Sequence, residues 1–228
     1  MVYQYLTFTI LSYLFFQGGV KALVVARGQL LSGSFDRTIR VWNRRTGNCD
    51  DVLTAHTSGI TALSVYNDGC KFASTSSDDS VRLWTSSSSS FSMSSSSLNN
   101  DRMCNGEPSG HSWICTARLT GHECTIWALC SYGRWLLSGD ENGMLKVWDT
   151  TTGRCEGTSR QSERSTEPIA TLAVTVDGDI MSSSWDGSIA FWHWNGELKR
   201  STTDSSSSID VSSINDHQHQ QPVDMIKV

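Results

Sequence analysis

A chain of 228 residues has room for one or two domains, and 38% hydrophobic with 18% charged residues suits a sheet-rich globular protein. The net charge is −5, and the densest basic pairs are Arg44-Arg45 and Lys199-Arg200, so no basic face for nucleic-acid phosphates is supplied. Seven cysteines without a CxxC spacing give no zinc site; read as reduced thiols, they imply a cytoplasmic or nuclear protein with no metal and no cofactor.

Residues 1–16 form an apolar segment running from Tyr5 to Phe16. No Lys or Arg precedes it, as a secretory signal requires, and it is shorter than the ~20 residues of a membrane span. Two readings stay open for it: a strand closing against the first sheet, or a misassigned start.

From residue 17 to 200 the chain repeats itself. Leu31–Trp42, Ala73–Trp84, Leu137–Trp148 and Met181–Trp192 align without gaps. Each carries a serine ten residues before its tryptophan: Ser32, Ser74, Ser138 and Ser182. Six residues before the tryptophan stands Asp36, Asp78, Asn142 or Asp186, residue types that suit a tight turn. Alternation around the turn, as in Ile39 and Val41, marks strands on either side. A further alternating strand lies upstream (Ile60, Leu63 and Val65 in the second copy). Gly47 and Gly153, then Cys49 and Cys155, follow their tryptophans at matched distances, which reads the cysteines as packing residues. Each unit thus supplies about four strands. The tryptophans are 42, 64 and 44 residues apart. The long interval contains a Ser-rich insert at about 85–110, expected to be disordered between the third and fourth strands of the second unit. Residues 201–228, also Ser-rich, are expected to be a disordered tail.

Thr120-Gly121-His122 followed by Val147-Trp148-Asp149 is similar to the Gly-His and Trp-Asp landmarks of the WD40 repeat family. Thr54-Ala55-His56 followed by Leu83-Trp84 is a second, weaker instance. The resemblance covers roughly residues 17–200. It implies an all-β, WD40-like β-propeller of four antiparallel four-stranded blades. Four units are few for such a ring, so an incomplete or open ring is expected.

The resemblance also implies a hydrogen-bonded set of His, Ser, Asp and Trp inside each blade. His56, Ser74, Asp78 and Trp84 complete it in the second blade. His122, Ser138 and Trp148 do so in the third, with Asn142 in place of Asp. Phe16 and Ser165 stand where His would fall in the first and fourth. His56, Ser74 and Asp78 also spell a hydrolase triad, but three of the four residue types recur in another copy, which repetition explains and catalysis does not. No GxSxG and no GxxxxGK[ST] occurs. Neither the His217-Gln218-His219 tail nor any other segment suggests an enzyme.

Propellers of this kind bind other proteins or peptides through the loops at one face of the ring. The resemblance aims two residues of each blade there: one just before the turn (Phe35, Ser77, Glu141, Trp185) and one early in the first strand (Lys21, Thr61, Trp127, Ala170). Phe35, Trp127 and Trp185 are the expected aromatic anchors, with Lys21, Arg37 and Glu141 setting charge preference. Equally, some of these aromatics could pack between blades. Neither nucleic acid nor membrane is an expected partner; a multi-protein complex is. Trp42-Asn43-Arg44-Arg45 is similar to the WDxR motif by which some WD40 proteins dock onto cullin-4 ligase adaptors, and Arg45 would be the docking residue of a ubiquitin-ligase substrate receptor.

Overall fold

The computed structural model describes residues 17–67, 69–87, 112–161, 166–175 and 177–200. The apolar segment 1–16, most of the Ser-rich insert, the 201–228 tail, and with them Phe16 and Ser165, lie outside the described residues.

Sixteen strands form four separate four-stranded antiparallel sheets. Blade 1 holds β1 (Val20–Ala26), β2 (Gln29–Ser34), β3 (Ile39–Asn43) and β4 (Cys49–Leu53). Blade 2 holds β5 (Ile60–Tyr66), β6 (Lys71–Ser76), β7 (Ser80–Ser87) and β8 (Ser112–Thr120). Blade 3 holds β9 (Ile126–Tyr132), β10 (Trp135–Asp140), β11 (Met144–Asp149) and β12 (Cys155–Arg160). Blade 4 holds β13 (Ile169–Val174), β14 (Ile180–Ser184), β15 (Ile189–Trp194) and β16 (Leu198–Arg200). Within each blade the strands are neighbours in chain order. The first strands pack side by side in the sequence β1, β5, β9, β13. No comparable packing joins β13 to β1 among the described residues, so the ring is open.

The repeat has a direct geometric cause. The second and third strands of each blade form a tight hairpin whose register sets the serine and the tryptophan across from each other. Trp42 pairs with Leu30, Trp84 with Phe72, Trp148 with Leu136 and Trp192 with Ile180, each two residues from its serine. The indole N–H then donates to the serine hydroxyl at 2.7, 2.9, 2.8 and 2.7 Å. The hairpin turn needs one left-handed residue, five before each tryptophan. Gly143 and Gly187 supply it in blades 3 and 4, Arg37 (φ 75°) and Asp79 (φ 61°) in blades 1 and 2.

Apolar residues facing between blades make the core. Leu31, Ile39 and Val41 of blade 1 meet Ile60, Leu63 and Phe72 of blade 2, and Leu137, Leu145 and Val147 of blade 3 meet Ile169 and Leu172 of blade 4. Close approach requires a small residue on the second strand. A Cβ on Gly33 would lie 2.5 Å from Ile60 Cγ2, and one on Gly139 would lie 2.5 Å from Ile169 Cγ2.

Two expectations are corrected. The insert begins later than residue 85, because β7 runs to Ser87 and pairs Thr85, Ser86 and Ser87 with Ile114, Trp113 and Ser112. This extension delivers Trp113 into the blade 1–2 core, where its indole donates to Gln29 Oε1 at 3.0 Å and its ring meets Phe72 edge-on. Second, Cys155 is exposed rather than packed. Cys49, Cys115 and Cys155 sit opposite Trp42, Trp84 and Trp148, each at a bulge of the fourth strand. Their shared position therefore follows strand geometry more than burial.

Candidate functional site

Each blade contains a polar chain running from the indole outward. In blade 2, Trp84 Nε1 donates to Ser74 Oγ (2.9 Å), Ser74 pairs with His56 Nε2 (2.8 Å), and His56 Nδ1 meets Asp78 Oδ2 (2.9 Å). Asp78 also accepts from the Thr57 N–H (2.9 Å), the Ser80 N–H (3.2 Å) and the Ser80 hydroxyl (2.5 Å). Burial lowers the His56 pKa despite the attraction of Asp78. With the ring neutral, donation runs one way: indole to serine, serine to Nε2, and Nδ1–H to carboxylate. Burial would raise the Asp78 pKa. The donors from Ser80 and Thr57, together with His56, outweigh it and bring it down to about 2. Ser74 is fully buried with its hydroxyl committed on both sides, so no substrate carbonyl could reach it without opening the blade. The triad letters hold a loop to a sheet.

In blade 3 the acceptor is not Asn142. His122 Nε2 pairs with Ser138 (2.6 Å), and Nδ1 meets Asp140 Oδ2 (2.6 Å). Asp140 stands at the position of Ser34, Ser76 and Ser184, two residues before the turn residue, and its longer carboxylate side chain reaches the histidine. Asn142 contributes only its backbone N–H, to Asp140 Oδ1 at 3.0 Å. The alignment pointed to Asn142 because it fixed the turn position and could not see this substitution one step earlier.

In blade 4 the residue in the histidine's role is Gln161, buried at the end of β12, whose Oε1 accepts from Ser182 Oγ. Its Nε2 reaches the Ser188 carbonyl at 3.4 Å. Gln161 lies 21 residues before its serine, against 18 for His56 and 16 for His122. The longer loop hid it from fixed-spacing alignment. In blade 1, Ser32 binds Trp42, and Asp36 instead caps the turn through the Thr38 N–H (2.9 Å) and hydroxyl (2.6 Å).

The candidate binding residues share a second device. Each first strand carries a β-bulge near its start, and Lys21, Thr61, Trp127 and Ala170 are the extra residues. A bulge re-aims the side chain it displaces. The residue ahead of each turn is tied to the same end by one repeated backbone bond: Phe35 to Gly19, Ser77 to Gly59, Glu141 to Thr125, and Trp185 to Pro168. In blade 1 the Lys21 ammonium lies 4.7 Å from the Phe35 ring centre, and Phe35 leans onto Gly59 of the next blade. Across the blade 3–4 boundary, the Trp127 and Trp185 rings are 6.1 Å apart. Trp185 is 65% exposed. Trp127 is half-buried, with Nε1 shielded and unpartnered. Thr61 is buried and bonded to Thr75 (2.9 Å), leaving blade 2 without a bulky bulge residue.

Asp79 was not singled out in the sequence. Burial, followed by the charge of Asp78 and then those of Asp140 and Glu141, raises its pKa against the opposing effect of His122. The signal was available: Asp79 occupies the turn position where two other copies place glycine.

Comparison with known proteins agrees with this geometry. The family model "WD domain, G-beta repeat" matches residues 16–43, 47–85, 113–149 and 154–193, one match per blade. The chain is 27% identical over 177 residues to apoptotic protease-activating factor 1 of Homo sapiens, covering 75% of this chain and 12% of that protein. It is 26% identical over 202 residues to mitochondrial division protein 1 of Pyricularia oryzae, covering 72% and 30%. It therefore spans less than a third of either relative. Among solved structures, the computationally designed Ika4 protein superposes with a TM-score of 0.57 at 24% identity, covering 78% of this chain and 92% of that one.

Proposed function

The chain belongs to the WD40 repeat family, and from that premise we propose that it is a protein-interaction scaffold whose partner docks on the bulge-bearing end of the blades. The observation that carries the reading is the pairing of a largely exposed Trp185 with a half-buried Trp127 at an end where all four first strands bulge. Large aromatics held on a rigid platform are typical interface anchors. Lys21 and Phe35 form a second anchor on blade 1, and Asp79 and Glu141 belong to the two blades between. That order suits a peptide with apolar residues at either end and a basic residue in the middle. Nothing in this arrangement positions a nucleophile beside a base on the surface, so binding rather than catalysis is the function proposed. Cys49, Cys115, Cys124, Cys130 and Cys155 are free thiols, which supports the cytoplasmic or nuclear reading.

Affinity capture with quantitative mass spectrometry on wild type and Trp185→Ala, each checked for folding by circular dichroism, tests the proposal. A genuine partner weakens by about 2 kcal/mol or more if Trp185 is a hot spot. An unchanged partner set with Trp185→Ala and with Phe35→Ala would exclude this end as the docking surface.

A second reading is docking onto a cullin-4 ligase adaptor through Arg45. The favouring observation is that Asn43 caps the β3–β4 turn, its Oδ1 accepting from the Arg45 and Thr46 N–H groups at 3.0 and 3.2 Å. Asp149 performs the same capping for Thr151 (2.8 Å) in blade 3. Asn for Asp thus preserves the turn, with Arg45 exposed on it. Adaptor pulldown that persists with Arg45→Ala would remove this reading.

A further inference from the structure

The three internal blade boundaries are built from equivalent residues. On one side stands the first strand of the following blade, represented by Ile60, Ile126 and Ile169, all fully buried, and by Leu63 and Leu172, each 8% exposed. On the other side stands the second-to-third-strand hairpin of the preceding blade: Ile39, Val81 and Leu145, then Val41, Leu83 and Val147, none more than 3% exposed. Strand register identifies their counterparts at the two ends of the array. Val20 faces Ser34 as Ile60 faces Ser76 and Ile169 faces Ser184, and Leu23 faces Ser32 as Leu63 faces Ser74 and Leu172 faces Ser182. Yet Val20 is 39% exposed and Leu23 61%. At the far end, Ile189 and Phe191 take the places of Ile39 and Val41 and are 63% and 47% exposed. Both halves of one blade boundary are therefore present on this chain, complete in residue type, and unmatched among the described residues.

We infer that the β1 face of one chain receives the β14–β15 face of a second copy, and the reverse, so that two chains join through two such boundaries. The occupant follows from the template. A sheet that fits against Ile189 and Phe191 needs a first strand with a β-branched residue and a leucine at the Val20 and Leu23 positions, and β1 carries both. The steric detail also fits. Ser183 occupies the close-approach position held by Gly33, Thr75 and Gly139, and Thr75 already accommodates a hydroxyl-bearing side chain next to the buried Ile126. The opposing residue here is Val20, one methylene smaller than the isoleucine of the other boundaries. The pairing is heterologous, different surfaces meeting, and closes only if two copies complete the rotation; otherwise it would run on as a filament.

The full chain is tested at micromolar concentration by light scattering and native mass spectrometry, and a mass twice the 25.1 kDa of one chain is expected. Leu23→Glu and Phe191→Lys each change an exposed side chain; each alone should halve the mass with unchanged circular dichroism. Mixed in equal amounts they should restore the dimer, because a mixed pair has one intact boundary and one Glu–Lys boundary. Monomeric wild-type protein would overturn the inference whatever the variants do. So would assemblies larger than two, or a response to only one variant, which marks like-with-like pairing. A monomer that dimerises only after removal of residues 1–16 would assign the β1 face to the chain's own apolar terminus, and would equally overturn it.

Discussion

Single side chains in this protein act through hydrogen-bond completeness. The serine of each blade is a hub: it satisfies a buried indole and, in three blades, a His or Gln from the preceding loop. A buried donor left without its acceptor costs about 1–3 kcal/mol. Asp140→Ala should therefore lower the unfolding free energy of the domain by about 2 kcal/mol in urea titration. Asn142→Ala, which keeps the backbone N–H that Asp140 uses, should change it far less. Equal effects would mean the carboxylate is assigned to the wrong residue. A pH consequence follows for blade 2. Folding lowers both the His56 and Asp78 pKa values, so the unfolded chain binds more protons and stability rises with pH. The His56 contribution is full above its unfolded value of about 6.5 and is lost on acidification below it. The Asp78 contribution is lost as pH falls from about 4 toward 2. Stability measured against pH should drop in both windows, and Asp78→Asn should shrink the lower one, leaving the part owed to Asp140 and Asp149, whose pKa values are also lowered.

Hairpins and bulges decide where side chains go. The turn between the second and third strands demands a left-handed residue, and Arg37 and Asp79 hold that conformation without being glycine. Aspartate tolerates it; arginine holds it at a conformational cost, its N–H donating to the Ser34 carbonyl at 3.2 Å to close the turn. Arg37→Gly should stabilise the protein by about 0.5–1 kcal/mol in thermal or urea unfolding. The same change should weaken a partner that reads the guanidinium. A stabilised variant with undiminished binding would reduce Arg37 to a turn residue. The bulges act differently. They displace one residue of each first strand without altering the pairing beyond it, so four side chains from four sheets share one end of the array.

At the scale of the whole molecule, stability comes from blades covering one another. Gly139 is the sharpest probe, since an added methyl would meet Ile169 at 2.5 Å. Gly139→Ala should destabilise by about 1–3 kcal/mol through overpacking, and Ile169→Ala, which removes the Cγ2 that the new methyl meets, should cost less in that background than in the wild type. Additive losses would show that the two sites do not touch.

The repeat and its four strands per unit were legible in the sequence, because a hairpin is a local object whose spacing recurs in every copy. The Ser–Trp pairing came with the family resemblance, and ten residues across one tight turn are what let the two side chains meet. The positions of Lys21, Thr61, Trp127 and Ala170 came from the family resemblance, and that each is the extra residue of a bulge was visible only in the strand register. Asp140 and Gln161 were not legible. They serve partners 18 and 21 residues away through loops of variable length, and many acceptors can satisfy the same donor from different starting points. Nor could spacing show that Leu23 and Ile189 face outward while their counterparts are buried. Burial there depends on which blade stands next to which, and adjacency between sheets is set by how far each one turns about the common axis, a quantity that exists only once the blades have packed.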